Sequence, residues 1–182
     1  MSWDIFKQNI ISKSQNPRII KNSEDMAILY ATEYQNCIKR GGDFINKIPL
    51  RSGNFDTMVD LFKLSFALGS RSKIPFDIIG TMGKGVMAYW AGARLQPFPI
   101  PNIPAPGSIK NILVLSGIVI NPGIWAPSIP PIPSPTPDPF IDLFVLSAKI
   151  HLNTVSGFIF TLSTYPPSII SPGVILWNSY RV

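Results

Sequence analysis

One cysteine, Cys37, and one histidine, His151, are all that 182 residues hold of those two types, and only 14% of the residues are charged. A single cysteine excludes an internal disulfide and fits manufacture in a reducing cytoplasm. A single histidine removes histidine-ligated metal clusters. No apolar run reaches the roughly 20 residues of a membrane helix. The most apolar windows, 112–120 and 139–155, are too short or are broken by Asp142, Lys149, His151 and Asn153, so no membrane span is expected. The N-terminus, Met1-Ser2-Trp3-Asp4-Ile5-Phe6-Lys7-Gln8, has no basic stretch leading into an apolar run, so secretion by signal peptide is not expected.

Proline and apolar side chains are what the chain does have. Thirteen of its nineteen prolines fall between Pro97 and Pro139, where the only charges are Lys110 and Asp138. Proline fixes φ near about −65° and lacks a backbone donor, which rules out helix or central strand for a proline run. Pro97-Phe98-Pro99-Ile100-Pro101 and Pro130-Pro131-Ile132-Pro133-Ser134-Pro135-Thr136-Pro137 are therefore expected to be extended. They interleave proline with Phe98, Ile100, Ile103, Ile129 and Ile132, which stay in water unless another surface covers them. That pattern describes an arm laid along a partner.

The net charge of +6 raises nucleic acid and anionic membrane as partners. Yet the basic residues are scattered, Lys39-Arg40 being the only adjacent pair, with Asp43, Asp56 and Asp60 among them. A nucleic-acid binder needs a clustered basic face, so direct nucleic-acid binding is not expected. Charge is also uneven along the chain: residues 1–96 hold 13 Lys+Arg and 8 Asp+Glu, residues 97–182 only 3 and 2.

Helix signals dominate the first half. Residues 2–13 carry Trp3, Phe6 and Ile10 on one face and stop at Asn16-Pro17. Asn22-Ser23-Glu24-Asp25 sets caps and first-turn acids ahead of Met26, Tyr30, Cys37 and Ile38, with Gly41-Gly42 as the stop. Asn54 caps a third helix with Phe55, Met58, Val59, Leu61, Phe62 and Phe66 on one broad face. A fourth begins near Pro75-Phe76-Asp77 and runs to Trp90. Its glycines at 80, 83, 85 and 92 each cost about 1 kcal/mol in a helix, which implies close approach by another backbone.

Beyond the first proline run, 111–120 reads as a buried strand, and Asp138-Pro139 starts a nearly uncharged helix reaching about Ser156. Phe158–Thr164 and Gly173–Tyr180 read as a hairpin-like pair. The expected class is α+β: an α-helical module over 1–95, an extended proline-rich arm with one strand over 96–137, and a helix with a two-strand closing unit over 138–182.

Chemistry-bearing patterns are sparse. Gly80-Thr81-Met82-Gly83-Lys84-Gly85 lacks the Walker spacing and the Ser or Thr that would hold a metal, and helix packing explains it better. His151 has no Gly-x-Ser-x-Gly elbow to pair with, and nothing around Cys37 would lower its pKa. Asp56 and Asp60 read as a solvated stripe with Lys63. The PxxP spacings at Pro101–Pro104 and Pro130–Pro133 lack the arginine that SH3-like grooves usually select. No catalytic, cofactor-binding or metal-ligating residue is expected, and no cofactor. Partner contact is assigned to Phe98, Ile100, Ile103, Trp125, Ile129 and Ile132.

Four strings carry a family likeness: Lys39-Arg40-Gly41-Gly42-Asp43; Met82-Gly83-Lys84-Gly85-Val86-Met87-Ala88-Tyr89-Trp90-Ala91-Gly92-Ala93; Pro97-Phe98-Pro99-Ile100-Pro101; and Asn121-Pro122-Gly123-Ile124-Trp125. Together they resemble small virion structural proteins of tailed bacteriophages, in particular the contractile-tailed, T4-like phages of marine bacteria. The resemblance implies a non-enzymatic particle component, built in the host cytoplasm and present in several copies, whose partners are other virion proteins. Tail or baseplate is the expected location, with neck or capsid surface as alternatives. A peripheral membrane-binding protein and an enzyme of unrecognised pattern are the readings of other classes.

Overall fold

The computed structural model describes residues 3–40, 50–72, 75–95, 114–126, 138–152, 154–164, 167–169 and 173–176. Five helices form its packed body: α1 (Trp3–Ser14), α2 (Ser23–Arg40), α3 (Phe55–Ser72), α4 (Pro75–Ala91) and α5 (Pro139–Leu152). Their starts follow from local chemistry. Asn22 Oδ1 accepts the Asp25 N–H at 2.9 Å, and Asp25 returns a bond by accepting the Lys21 N–H at 2.8 Å. Asn54 Oδ1 accepts from Thr57 N–H at 3.4 Å. Asp138 Oδ1 accepts from Phe140 N–H at 3.0 Å and Ile141 N–H at 3.3 Å, with Pro139 in the first turn, where its missing donor costs nothing.

Consecutive helices pack in pairs: α1 on α2, α2 on α3 and α3 on α4. The fifth closes the body, touching α1 and α4. Phe144 of α5 is fully buried at the centre. Its ring stacks on Phe6 of α1 at 5.7 Å and meets Tyr30 and Tyr34 of α2 at 5.6 and 6.2 Å. Phe62 of α3 lies edge-on at 6.1 Å, and Trp125 at 5.8 Å. Such ring pairs each add about 0.5–1.5 kcal/mol beyond the area they bury. Two ion pairs reinforce the contacts of α1: Lys7 with Asp142 of α5, and Lys13 with the buried Glu33 of α2, which also accepts from Asn9 Nδ2 at 2.8 Å.

The α+β expectation is corrected here. Where side chains are described, the packed body is all-helical, with no strand and no sheet in it. The extended backbone of Val114–Asn121 runs antiparallel beside Ser156–Thr164. Neither the expected buried strand nor the expected closing hairpin defines the fold. Phe144 of α5 is met by rings from α1, α2 and α3. A helix apolar on nearly all sides must be surrounded, and a two-stranded ribbon cannot surround it.

Close approach is observed at Gly83 and Gly85 of α4 and at Gly92 just beyond its end. A β-carbon at Gly85 would meet the Phe62 ring at 2.9 Å and the Met58 carbonyl oxygen at 3.1 Å, so the backbone of α3 crosses there. One at Gly92 would lie 2.6 Å from Asn54 Cβ, and one at Gly83 would fall inside the Trp125 indole.

Candidate functional site

Of the six residues assigned to partner contact, Phe98, Ile100, Ile103, Ile129 and Ile132 lie outside the described residues. Trp125 is 9% exposed, packed between Phe144, Gly83 and His151 of its own chain. Its neighbours Ile124, at 70%, and Ala126 are exposed.

The segment 122–126 is held by the C-terminal end of α5 and the turn after it. Gly123 has φ +74°, a left-handed conformation suited to glycine, and a β-carbon there would meet Thr154 Oγ1 at 2.7 Å and the Val155 backbone nitrogen at 3.0 Å. Thr154 Oγ1 accepts from Ile124 N–H at 2.8 Å and donates to the His151 carbonyl at 2.7 Å. The Ile124 carbonyl lies 3.3 Å from the same hydroxyl. His151 Nε2 is 2.8 Å from the Pro122 carbonyl oxygen. A carbonyl only accepts, so Nε2 carries the proton and Nδ1 is the bare acceptor of a neutral ring. That Nδ1 is buried without a partner, as is the Trp125 Nε1–H, whose ring centroid lies 5.6 Å from the imidazole. Burial drives the His151 pKa down to about 4, against a smaller upward pull from the Pro122 carbonyl.

This arrangement holds chain in place; it offers no nucleophile to activate. His151 is fully buried, and the nearby Thr154 hydroxyl bonds backbone rather than the imidazole. Burial pushes the Cys37 thiol up to about 12, far from the thiolate a nucleophile needs. Asp56 and Asp60 are both exposed on α3, while Lys63 reaches Glu24 at 3.8 Å. The glycine-rich Gly80–Gly85 stretch is interior helix pressed against Trp125 and α3. Among the described residues no three His, Cys, Asp or Glu side chains gather as a metal site, and no helix is long and apolar enough to cross a membrane.

Two features escaped the sequence reading. The clamp on residues 122–126 was visible only as one histidine and one glycine far apart in the chain. The Lys7–Asp142 pair had a clearer trace: an acid in an otherwise apolar helix needs a cation, although nothing in the sequence says which. No family model matches the chain, and neither a curated protein nor a solved structure does.

Proposed function

We propose that the protein is a non-enzymatic structural component of a bacteriophage particle, in the tail or baseplate, where its proline-rich segments lie along neighbouring subunits. The single observation behind this reading is the composition of 97–139: thirteen prolines and two charges, interleaved with Phe98, Ile100, Ile103, Ile129 and Ile132. Proline-stiffened chain has little conformational freedom left to lose on docking, so its apolar contacts yield more net affinity. Ten residues of polyproline reach roughly 30 Å, and each buried Ile or Phe contributes about 1.5–3 kcal/mol before ordering costs.

The helical body adds a mechanical argument. Trp125 and Asp138 are both fixed to it, one through its indole and one as the cap of α5, so residues 127–137 begin and end on a rigid base. Docking through tethered segments of this kind transmits load to the body, as a particle component must. A peripheral membrane role loses a candidate surface, because α5, charged only at Asp142 and Lys149, is spent in the core.

Purified particles of the encoding phage should contain the chain in several copies. Changing Phe98, Ile100, Ile103, Ile129 and Ile132 together to serine should abolish incorporation while leaving the helical circular dichroism intact. Removing all of 97–137 would be a poor test, because it also removes Trp125 from the core. Absence of the chain from purified wild-type particles would overturn the proposal, and so would full incorporation of the five-residue variant.

A further inference from the structure

We infer that residues 122–126 and the end of α5 form an acid-releasable clamp, in which protonation of His151 unseats Pro122–Ala126 from the helical body. The inference is independent of where the protein works.

The second proton on His151 has only one place to go. Nε2 is already committed as donor to Pro122, so protonation falls on Nδ1, which has no acceptor and no solvent contact. Beside the ring stands the Trp125 indole, its centroid 5.6 Å away. Among the described residues no carboxylate stands ready to neutralise the cation. On α5 itself Asp142 is paired with Lys7 of α1, Asp138 caps the helix start, and Lys149 is an exposed like charge. On α1 Lys13 is committed to Glu33 of α2 and Asp4 is exposed. The α4 charges, Asp77 and Lys84, are exposed, and Tyr89 is held neutral by burial. From α2 the buried Tyr30, Tyr34 and Cys37 are neutral as well, and 122–126 contains no charge.

The clamp yields before the helices do because of how each is held. Phe144 locks α5 to α1, α2 and α3 through rings, whereas the side-chain holds on 122–126 include the His151 imidazole, the Thr154 hydroxyl and a Trp125 indole whose N–H is unbonded. Swinging the segment out hydrates the imidazolium and the Trp125 N–H together. The sign is fixed by linkage: a base whose value falls on burial binds its proton more readily in the open state, so acid favours opening. Between the ordinary value near 6.5 and about 4, the opening equilibrium rises about tenfold for each unit of falling pH.

The test uses the full chain, labelled for its indole N–H resonances, titrated from about pH 8 to pH 4 alongside helical circular dichroism, a range that spans the ordinary histidine value. Trp125, identified by its loss in Trp125→Phe, should shift to a solvent-exposed position at a pH where helix content is unchanged. His151→Gln retains a donor for Pro122 and cannot titrate, so it should remove that shift. Since His151 is the sole histidine, its ring-proton titration is unambiguous and decides the matter even if the glutamine variant does not fold. A folded-state histidine midpoint at or above about 6.5 would overturn the clamp. The same holds for a Trp125 resonance that stays put until the helices melt, or for a shift that persists in His151→Gln.

Discussion

The Trp125 indole fills the room that Gly83 leaves on α4: a β-carbon at position 83 would lie 1.9 Å from Cδ1 and 2.3 Å from Nε1. Alanine is intrinsically better than glycine in a helix by about 1 kcal/mol, but here the indole would have to leave. Gly83→Ala is therefore expected to destabilise the chain by about 1–3 kcal/mol in urea unfolding, in the range of overpacked cores. Gly85→Ala should also destabilise, because the Met58 carbonyl cannot give way as a side-chain end can. Only Gly83→Ala should expose Trp125 to solvent quenching. A more stable Gly83→Ala variant with Trp125 still protected would mean that the ring does not occupy this site.

Lys7 and Asp142 pair with only 25% and 9% of their side chains exposed. Breaking a buried pair by removing one partner costs about 3–5 kcal/mol, and solvent access to Lys7 lowers the expectation for Lys7→Met to about 2–4 kcal/mol. Replacing both, as Lys7→Met with Asp142→Leu, should recover most of the loss, since an apolar pair in the same place carries no desolvation penalty. Chemical denaturation of the two variants beside Lys21→Met, an exposed lysine, checks this. Equal effects from Lys7→Met and Lys21→Met would show the pair to be unimportant.

The Trp90 Nε1–H donates to the Tyr34 hydroxyl at 2.9 Å, joining α4 to α2 inside the core. Tyr34→Phe removes that acceptor from a dry site, with an expected cost of about 1–3 kcal/mol. Combined with Trp90→Phe, the losses should fall short of their sum by at least about 0.5 kcal/mol, as residues in direct contact do. Strict additivity in a double-mutant cycle would count against the bond.

These contacts show what the sequence could and could not convey. Asn54 and Asp138 were legible as caps because a cap needs only a short polar side chain and the next turn, both local. The all-round apolarity of α5 was legible too, yet its destination was not: Phe144 could equally have been buried by strands, and only the rings of Phe6, Tyr30 and Phe62 decide the question. The packing of Trp125 was hidden for the same reason. It stands among prolines that suggest an extended outer arm, and the space that receives it is made by a glycine on a distant helix. The hydrogen bond of His151 crosses to Pro122 and so carries tertiary information that no periodicity contains.

Cys37 lies fully buried on the inner face of α2, and burial pushes its thiol up to about 12, with Glu33 adding to the rise while the chain's N-terminus and Lys149 oppose it. Relative to an ordinary thiol near 9, three units leave about a thousandfold less thiolate at neutral pH, and the thiolate is the reactive form. A disulfide reagent added to the native chain at about pH 8, below the ordinary thiol value, should leave Cys37 unmodified over hours. In concentrated urea the same thiol should react at the rate of an exposed one. Because α2 is clasped by α1 and α3, labelling should track opening of the whole body rather than fraying of one helix. Gly83→Ala and Lys7→Met should accordingly speed it in proportion to their loss of stability. A native-state rate matching the urea rate would mean that the inner face of α2 is open to solvent, against the packing of Phe6, Tyr30 and Tyr34 around Phe144.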